Sequence, residues 1–196
     1  MEFTPFGKIP RLSRDIVVTE KIDGTNAAVI IEQLPSSGEA NVKDSVGIVE
    51  VGGISFAIWA QSRTRFITPE ADNFGFARWV SENMGKLVNL GPGAHFGEWW
   101  GAGIQRGYGL KEKRFSLFNV KRWATRAEEC GCHVVPSLYE GVFDTNNIEH
   151  VLNTLAINGS QAAPGFMKPE GIIVYHTAGN VLFKKLLEND DKHKGK

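Results

Sequence analysis

The chain has 196 residues, 42% of them apolar, and its 22 basic and 22 acidic side chains cancel to a formal charge of zero. That is enough chain for one ordinary domain with a substantial core, and five Trp with twelve Phe supply the aromatic bulk to fill it. No run of about 18 apolar residues is present, which excludes a membrane-spanning helix. The start, Met1-Glu2-Phe3-Thr4-Pro5, lacks a basic-then-apolar signal pattern, so the expected location is cytoplasmic.

Residues 1–15 read as irregular, punctuated by Pro5 and Pro10. The β-branched approach Ile16-Val17-Val18 reads as a short strand that delivers Glu20, Lys21 and Asp23 to a bend at Gly24. A second apolar run, Ala27 to Ile31, follows at once. Leu34 to Ser45 carries Pro, Ser, Gly and Asn and reads as a loop or hairpin connection. Val46 to Val51 and Ile54 to Gln61 read as strands joined tightly at Gly52-Gly53, and Ser62-Arg63-Thr64-Arg65 closes the second with two cations.

Pro69 and Asp72 are start signals for a helix from about Ala71 to Asn89, with Phe76, Val80, Met84 and Leu87 as its core-facing stripe. Gly91-Pro92-Gly93 stops it, and Ala94 to Gly101 is strand-like until the glycines up to Gly109 loosen the chain. Phe115 to Val120 reads as a strand and Trp123 to Gly131 as a short helix. Ile148, Val151, Leu152 and Leu155 fall at i, i+3, i+4 and i+7 on another helix. Gly159 to Pro169 is a loop, Gly171 to Tyr175 and Val181 to Leu186 form a strand pair around Gly179-Asn180, and Glu188 to Lys196 is a polar, frayed tail. The expected fold class is α+β, antiparallel β-sheets with flanking helices, as one domain without internal repeats.

Three groups of residues carry candidate chemistry. A lysine held between strands, as Lys21 is, can be desolvated and placed among other cations, which disfavours its charged form and exposes a nucleophilic amine. Gly24 allows close backbone approach to a ligand, and Asp23 can accept bonds from a ribose or align the lysine. Between Gln105 and Ala127 lie Arg106, Lys111, Lys113, Arg114, Lys121, Arg122 and Arg126 against the single acid Glu112, a patch able to line up phosphates despite the neutral total; a solvated face near a sheet edge is the alternative. Cys130, Cys132 and His133 spell a metal-like Cys-x-Cys-His, but no second ligand pair stands at finger-like spacing, and the motif reads as structural.

The string Glu20-Lys21-Ile22-Asp23-Gly24-Thr25-Asn26 resembles the active-site motif of the covalent nucleotidyltransferases, the superfamily of DNA ligases, RNA ligases and mRNA capping enzymes. Its two ends are most similar to the RNA ligase 2 branch. Further stretches resemble the rest of the family series in order: Ser62-Arg63-Thr64, Phe96-Gly97-Glu98-Trp99 with Gly101-Ala102-Gly103-Ile104-Gln105, Phe115-Ser116-Leu117-Phe118-Asn119-Val120, Glu170-Gly171-Ile172-Ile173-Val174-Tyr175, and Phe183-Lys184-Lys185. The resemblance spans residues 20–185.

The resemblance implies a nucleotidyltransferase (ATP-grasp-like) fold over residues 1–187, followed by a polar tail, with no appended OB-fold or helical domain. It implies an ATP-dependent RNA ligase that adenylylates itself on Lys21, passes AMP to a 5′-phosphate and joins a 3′-hydroxyl. Lys21, Asp23, Glu170 and Lys184 are then the catalytic residues. The nucleotide-binding set is Glu20, Ile22, Gly24, Asn26, Arg63, Glu98, Phe118, Lys184 and Lys185. Within it Glu98 binds ribose hydroxyls, Phe118 stacks on adenine and Glu20 hydrogen-bonds to it. Glu170 and Asp23 are the expected holders of Mg²⁺ or Mn²⁺. Arg65, a rival of Arg63, joins Arg106, Lys111, Lys113 and Arg114 as expected RNA contacts.

Strand alternation places Phe118 on the face of Ser116 and Val120, with Phe115 turned away. The family usually presents Lys-x-Lys at its last motif, whereas Lys184 and Lys185 are adjacent. Alternation sends them to opposite faces, and Lys184 is the expected pocket lysine. The short distance from the last motif to the end of the sequence suggests a bare catalytic domain that leaves room for a partner protein to grip RNA. A DNA ligase, a GTP-using capping-type transferase and a non-catalytic nucleotide- or RNA-binding module are the alternative readings.

Overall fold

The computed structural model describes residues 1–36 and 41–191. Part of the predicted 34–45 connection and the end of the predicted tail, residues 37–40 and 192–196, therefore lie outside the described residues. In chain order the elements are β1 (Asp15–Lys21), β2 (Thr25–Gln33), β3 (Gly47–Val51), β4 (Ile54–Ser62), β5 (Phe66–Ile67), α1 (Phe76–Leu87), β6 (Gly93–Gly101), β7 (Lys113–Leu117), α2 (Val120–Trp123), β8 (His133–Val134), β9 (Ser137–Val142), α3 (Thr145–Asn158), β10 (Gly171–His176) and β11 (Val181–Leu186). The chain divides into two compact units, residues 1–22 with those from 136 onwards, and residues 23–135.

The first unit is a four-stranded sheet in the order β11-β10-β1-β9, antiparallel throughout. Alternation along β1 buries Ile16, Val18 and Glu20 and leaves Val17, Thr19 and Lys21 half-buried on the other face. Ile16 and Val18 pack with Ile172 and Val174 against Val151, Leu152 and Leu155 of α3, the stripe predicted for that helix. Each such fully buried branched side chain stabilises the unit by roughly 1.5–3 kcal/mol. Asp144 starts α3 by accepting the Asn146 N–H at 2.8 Å, a side-chain N-cap.

The second unit is a seven-stranded sheet in the order β3-β4-β2-β6-β7-β8, with β5 on β4. Only the short β7–β8 pair is parallel. The Gly52-Gly53 turn adopts positive φ at both residues, 60° and 78°, as a tight hairpin between twisted strands requires. α1 covers one face: Phe76, Ala77, Val80 and Leu87 are buried against Val29, Ile31, Ile58, Trp99, Phe115 and Leu117.

The helix begins at Phe76 rather than near Ala71. The Asp72 carboxylate accepts the N–H groups of Asn73, Ala77 and Arg78 at 2.6, 2.8 and 3.1 Å, so Asp72 serves as an anchor ahead of the first turn. β7 ends at Leu117, three residues before the predicted end, because the Asn119 side chain accepts the Arg122 N–H at 3.1 Å and starts a helical turn. The predicted 123–131 helix is instead α2 and a separate 3₁₀ turn, Glu128–Cys130, closed by left-handed Gly131. β8 and β9 carry no clear apolar alternation and escaped prediction.

Candidate active site

In the first unit, antiparallel register fixes what shares a face. The rows Thr19–Ile173–Lys184 and Lys21–Gly171–Leu186 cross three strands, and so does the intervening row Glu20–Ile172–Lys185. Cross-strand neighbours point to the same side, so Lys21 and Lys184 stand on the face away from α3 while Glu20 and Lys185 stand on the α3 face. Register runs unbroken from Gly171 to His176 against Val181 to Leu186, with no bulge at Phe183.

Lys21 Nζ donates to Glu170 Oε2 at 2.5 Å, and the two side chains are 24% and 10% exposed. Glu170 directly precedes β10, opposite the end of β1. Gly171 lets β11 approach there: a Cβ on it would lie 2.2 Å from the Lys185 carbonyl oxygen. Lys184 is exposed and has no hydrogen-bond or ion-pair partner among the described residues.

Lys185 pairs with Glu149 of α3 at 2.7 Å, a bond that raises its pKa above the ordinary lysine value. The contact holds Lys185 on the α3 face, opposite to that of Lys21.

Glu20 departs most from expectation. Its carboxylate is buried and accepts three hydrogen bonds from the loop after α3: Ser160 Oγ at 2.5 Å, Gln161 N–H at 2.8 Å and Ala162 N–H at 2.9 Å. Ser160 Oγ in turn accepts the Ala163 N–H at 3.0 Å. Both Glu20 oxygens accept bonds from that loop, so the side chain anchors it. Ile22 is buried as an apolar core residue.

In the second unit, Asn26, Glu98 and Ser116 form one cross-strand row, on the face opposite the α1 core. Glu98 is 8% exposed; its Oε1 accepts the Gly24 N–H at 3.1 Å and its Oε2 the Asn26 amide at 3.3 Å. Gly24 sits so close that a Cβ would meet the Trp99 carbonyl oxygen at 2.5 Å and Glu98 Cγ at 2.9 Å. Ser116 Oγ accepts the Trp100 indole N–H at 2.9 Å. Phe115 lies in the α1 core while Phe118 is 39% exposed, as alternation requires of that pair, although Phe118 and Val120 fall beyond the strand's end.

Asp23 is held at both ends: its N–H donates to Tyr108 Oη at 2.7 Å and its Oδ2 accepts from Arg106 Nε at 3.0 Å. Asp23 is thus ion-paired to Arg106, as Glu170 is to Lys21. No motif or spacing points to Tyr108, which sits at a left-handed φ of 52° among the glycines between Gly101 and Gly109.

The expected nucleic-acid cations are largely used within the unit. Lys113 donates to the Phe74 carbonyl at 2.6 Å, Arg114 pairs with Glu112 at 2.5 Å and lies over the Trp100 ring, and Arg65 binds the Ala71 and Phe66 carbonyls at 3.2 Å. Lys111 and Arg63 remain exposed without hydrogen-bond or ion-pair partners among the described residues. Of the two rivals, Arg63 rather than Arg65 has a guanidinium free to meet a ligand.

Cys130 and Cys132 are buried free thiols, and burial beside Cys130 pushes the Cys132 thiol up to about 12, which suppresses the thiolate that a metal would need. Among the described residues no group of three or more His, Cys, Asp or Glu is arranged to hold a metal ion. No helix among them is long and apolar enough to cross a membrane.

No curated protein matches the sequence. Among solved structures the chain is similar to a Naegleria gruberi RNA ligase variant with ATP and Mn, at 18% identity and a TM-score of 0.61, covering 94% of this chain and 53% of that one. It is similar also to a variant of the same ligase with AMP and Mn, at 19% identity and a TM-score of 0.59, covering 93% of this chain and 53% of that one. The chain thus spans about half the length of these relatives, and the likeness at this identity establishes a shared fold. The family described as RNA ligase matches residues 14–186, through both sheets and every motif from Lys21 to Lys184. The chain belongs to the RNA ligase family.

Proposed function

We propose that the chain is the nucleotidyltransferase part of an ATP-dependent RNA ligase, with Lys21 as the nucleophile. The observation that carries this reading is the Lys21–Glu170 contact at 2.5 Å, on the sheet face that also presents Lys184. A partly exposed amine held in one direction by a carboxylate, with a second cation on the same face, fits attack on a phosphate. ATP or AMP and Mn in the solved relatives support the choice of nucleotide and of a divalent cation.

In this reading the Lys21 amine attacks the α-phosphate of ATP, the nitrogen–phosphorus bond forms as the bond to pyrophosphate breaks, and a lysyl-AMP results. Glu170 orients Nζ beforehand and is the carboxylate within reach of the proton that nitrogen gives up. Lys184 meets the negative charge that develops on the phosphate oxygens. In the second unit, Glu98 takes the ribose hydroxyls, Phe118 the adenine face and Arg63 the ribose or the RNA end. AMP then passes to a 5′-phosphate, and a 3′-hydroxyl displaces it as the strands join.

Glu170 is the residue we assign to Mg²⁺ or Mn²⁺. The sparse carboxylate set suits a small hard cation that keeps most of its waters and takes the rest of its ligands from phosphates. Such an ion would neutralise phosphate charge. The domain assignment, residues 1–187 as one adenylation domain, is part of the same proposal.

The test is to incubate purified protein with α-labelled ATP or GTP and either cation, and to look for covalent label. Label from ATP that is lost in a folded Lys21→Ala variant is the expected result. Label from GTP alone, or label that survives in Lys21→Ala, would overturn the reading.

A further inference from the structure

On β6, every residue from His95 to Gly101 is buried except Phe96, which is 53% exposed. The core face of the same strands is already filled by Trp99, Phe115 and Leu117 under α1. Phe96 issues from the opposite face, the one that carries Glu98 and Asn26. Leaving half a phenyl ring in water forgoes burial that the hydrophobic effect would reward, so this ring is kept outside the core, on the face that also carries Glu98 and Asn26.

Its neighbours Gly97 along the strand and Ala28 across it are small. Phe96 pairs with Ala28 of β2, and Ala28 pairs with Gln61 of β4, so the row beside the ring holds a methyl group and then an amide. Gly97 follows, where a Cβ would lie 2.4 Å from the Ser116 carbonyl oxygen. Phe118 donates its backbone N–H to the Phe96 carbonyl at 3.0 Å, which sets a second exposed aromatic on the neighbouring chain. Arg63, exposed and without a partner among the described residues, comes two residues after Gln61. An exposed ring with small neighbours, an amide that can bond a base edge and an unpaired cation nearby in the chain is the chemistry that takes single-stranded nucleic acid.

We propose that Phe96 is a stacking platform for a base of the RNA substrate, separate from the adenine platform assigned to Phe118. This deepens the ligase reading and rests on it. The test measures the affinity of a fluorescein-labelled single-stranded RNA with a 3′-hydroxyl for wild type, Phe96→Ala, Phe96→Leu and Phe96→Trp, with Phe183→Ala of β11 as an exposed-aromatic control. Thermal melting of each variant checks the fold.

Loss of the ring should weaken RNA binding roughly 5- to 150-fold, the range that stacking of one base on an aromatic side chain supplies. Leu should be as poor as Ala, Trp should restore binding, and Phe183→Ala should bind as wild type does. Leu matching wild type would show an apolar contact without stacking and would overturn the proposal, as would absence of RNA binding by wild type.

ATP binding by the same variants separates the two platforms: a Phe96→Ala loss in ATP affinity as large as its loss in RNA affinity would place the ring in the nucleotide site instead. The two readings also fail separately. Wild type that labels with ATP but whose RNA binding ignores Phe96 sinks this inference alone. Wild type that binds RNA through Phe96 but takes no label sinks the ligase chemistry alone.

Discussion

Lys184 and Lys185, adjacent in sequence, leave β11 on opposite faces: Lys184 lies in the Thr19–Ile173 row, and Lys185 reaches Glu149 of α3 at 2.7 Å. Only the first shares a face with Lys21. Lys184→Ala should therefore cut self-adenylylation severely, by on the order of 100-fold or more if it meets charge developing on the phosphate. Lys185→Ala should leave that rate within a few-fold and cost at most about 1 kcal/mol of stability, as an exposed ion pair does. Single-turnover labelling at saturating ATP decides the matter. Equal, severe losses from both variants would contradict the face assignment.

The same alternation separates Glu20 from Lys21, and it makes Glu20 a residue that acts on the loop after α3. Glu20→Ala leaves Ser160 Oγ and the N–H groups of Gln161 and Ala162 without their buried acceptor. The loss should be on the order of 3 kcal/mol, read as a lower urea midpoint. Its effect on nucleotide choice should be small: the ATP-to-GTP preference of any remaining labelling activity should match wild type. A variant of wild-type stability with altered base preference would return Glu20 to the pocket.

The pairing of these residues shows what the sequence could and could not disclose. Most strands of the two sheets, the Gly52-Gly53 hairpin and the buried stripes of α1 and α3 were legible, because apolar period and glycine punctuation are local signals, whereas the edge strands β8 and β9 lack them. So were the opposite faces of Lys184 and Lys185. The Lys21–Glu170 contact spans 149 positions, and although motif order suggested a common site, only register across β1 and β10 supplies the contact itself. Asp23–Arg106, Lys113–Phe74 and Arg65–Ala71 were illegible for the same reason: composition counts cations but not the acceptors that folding brings to them. The partners of Glu20 were hidden in the same way, since Ser160, Gln161 and Ala162 lie 140 to 142 positions from it.

A pH-dependent loss of stability should come from His95. The ring is buried on β6, its Nε2 lies 2.8 Å from the Gly91 carbonyl oxygen, and Nδ1 has no hydrogen-bond partner among the described residues. Burial, with the Arg122 charge adding to it, holds its pKa below the ordinary histidine value despite the Gly91 bond. The unfolded chain then binds the proton first. Stability from the neutral ring is complete above about pH 6.5 and falls as the pH drops through the lower folded value. His133, lowered chiefly by burial, adds a slope of the same sign. Urea midpoints between pH 7.5 and 5 should fall less steeply in His95→Phe than in wild type, and identical slopes would exclude His95 as a source.

Gly24 links backbone geometry most directly to the proposed ribose site. Its N–H donates to Glu98 Oε1 at 3.1 Å, and the approach that permits this leaves no room for a side chain: the first atom added would lie 2.5 Å from the Trp99 carbonyl oxygen, which is backbone and cannot rotate aside. Gly24→Ala must therefore push the segment after Asp23 off β6, at a cost of about 1–3 kcal/mol as overpacking usually exacts. Glu98 would lose a donor that holds its carboxylate in place. We expect ATP affinity to fall more than this destabilisation explains, since the displaced group is one we assign to the ribose. Glu98→Gln, which keeps the shape and accepts the same N–H through its amide oxygen but loses the bond from the Asn26 amide, should weaken ATP binding at a smaller cost in stability than Gly24→Ala. The comparison is by urea denaturation and ATP titration of both variants. If Gly24→Ala lost stability alone and bound ATP as wild type does, the close approach at Gly24 would serve packing and not the nucleotide.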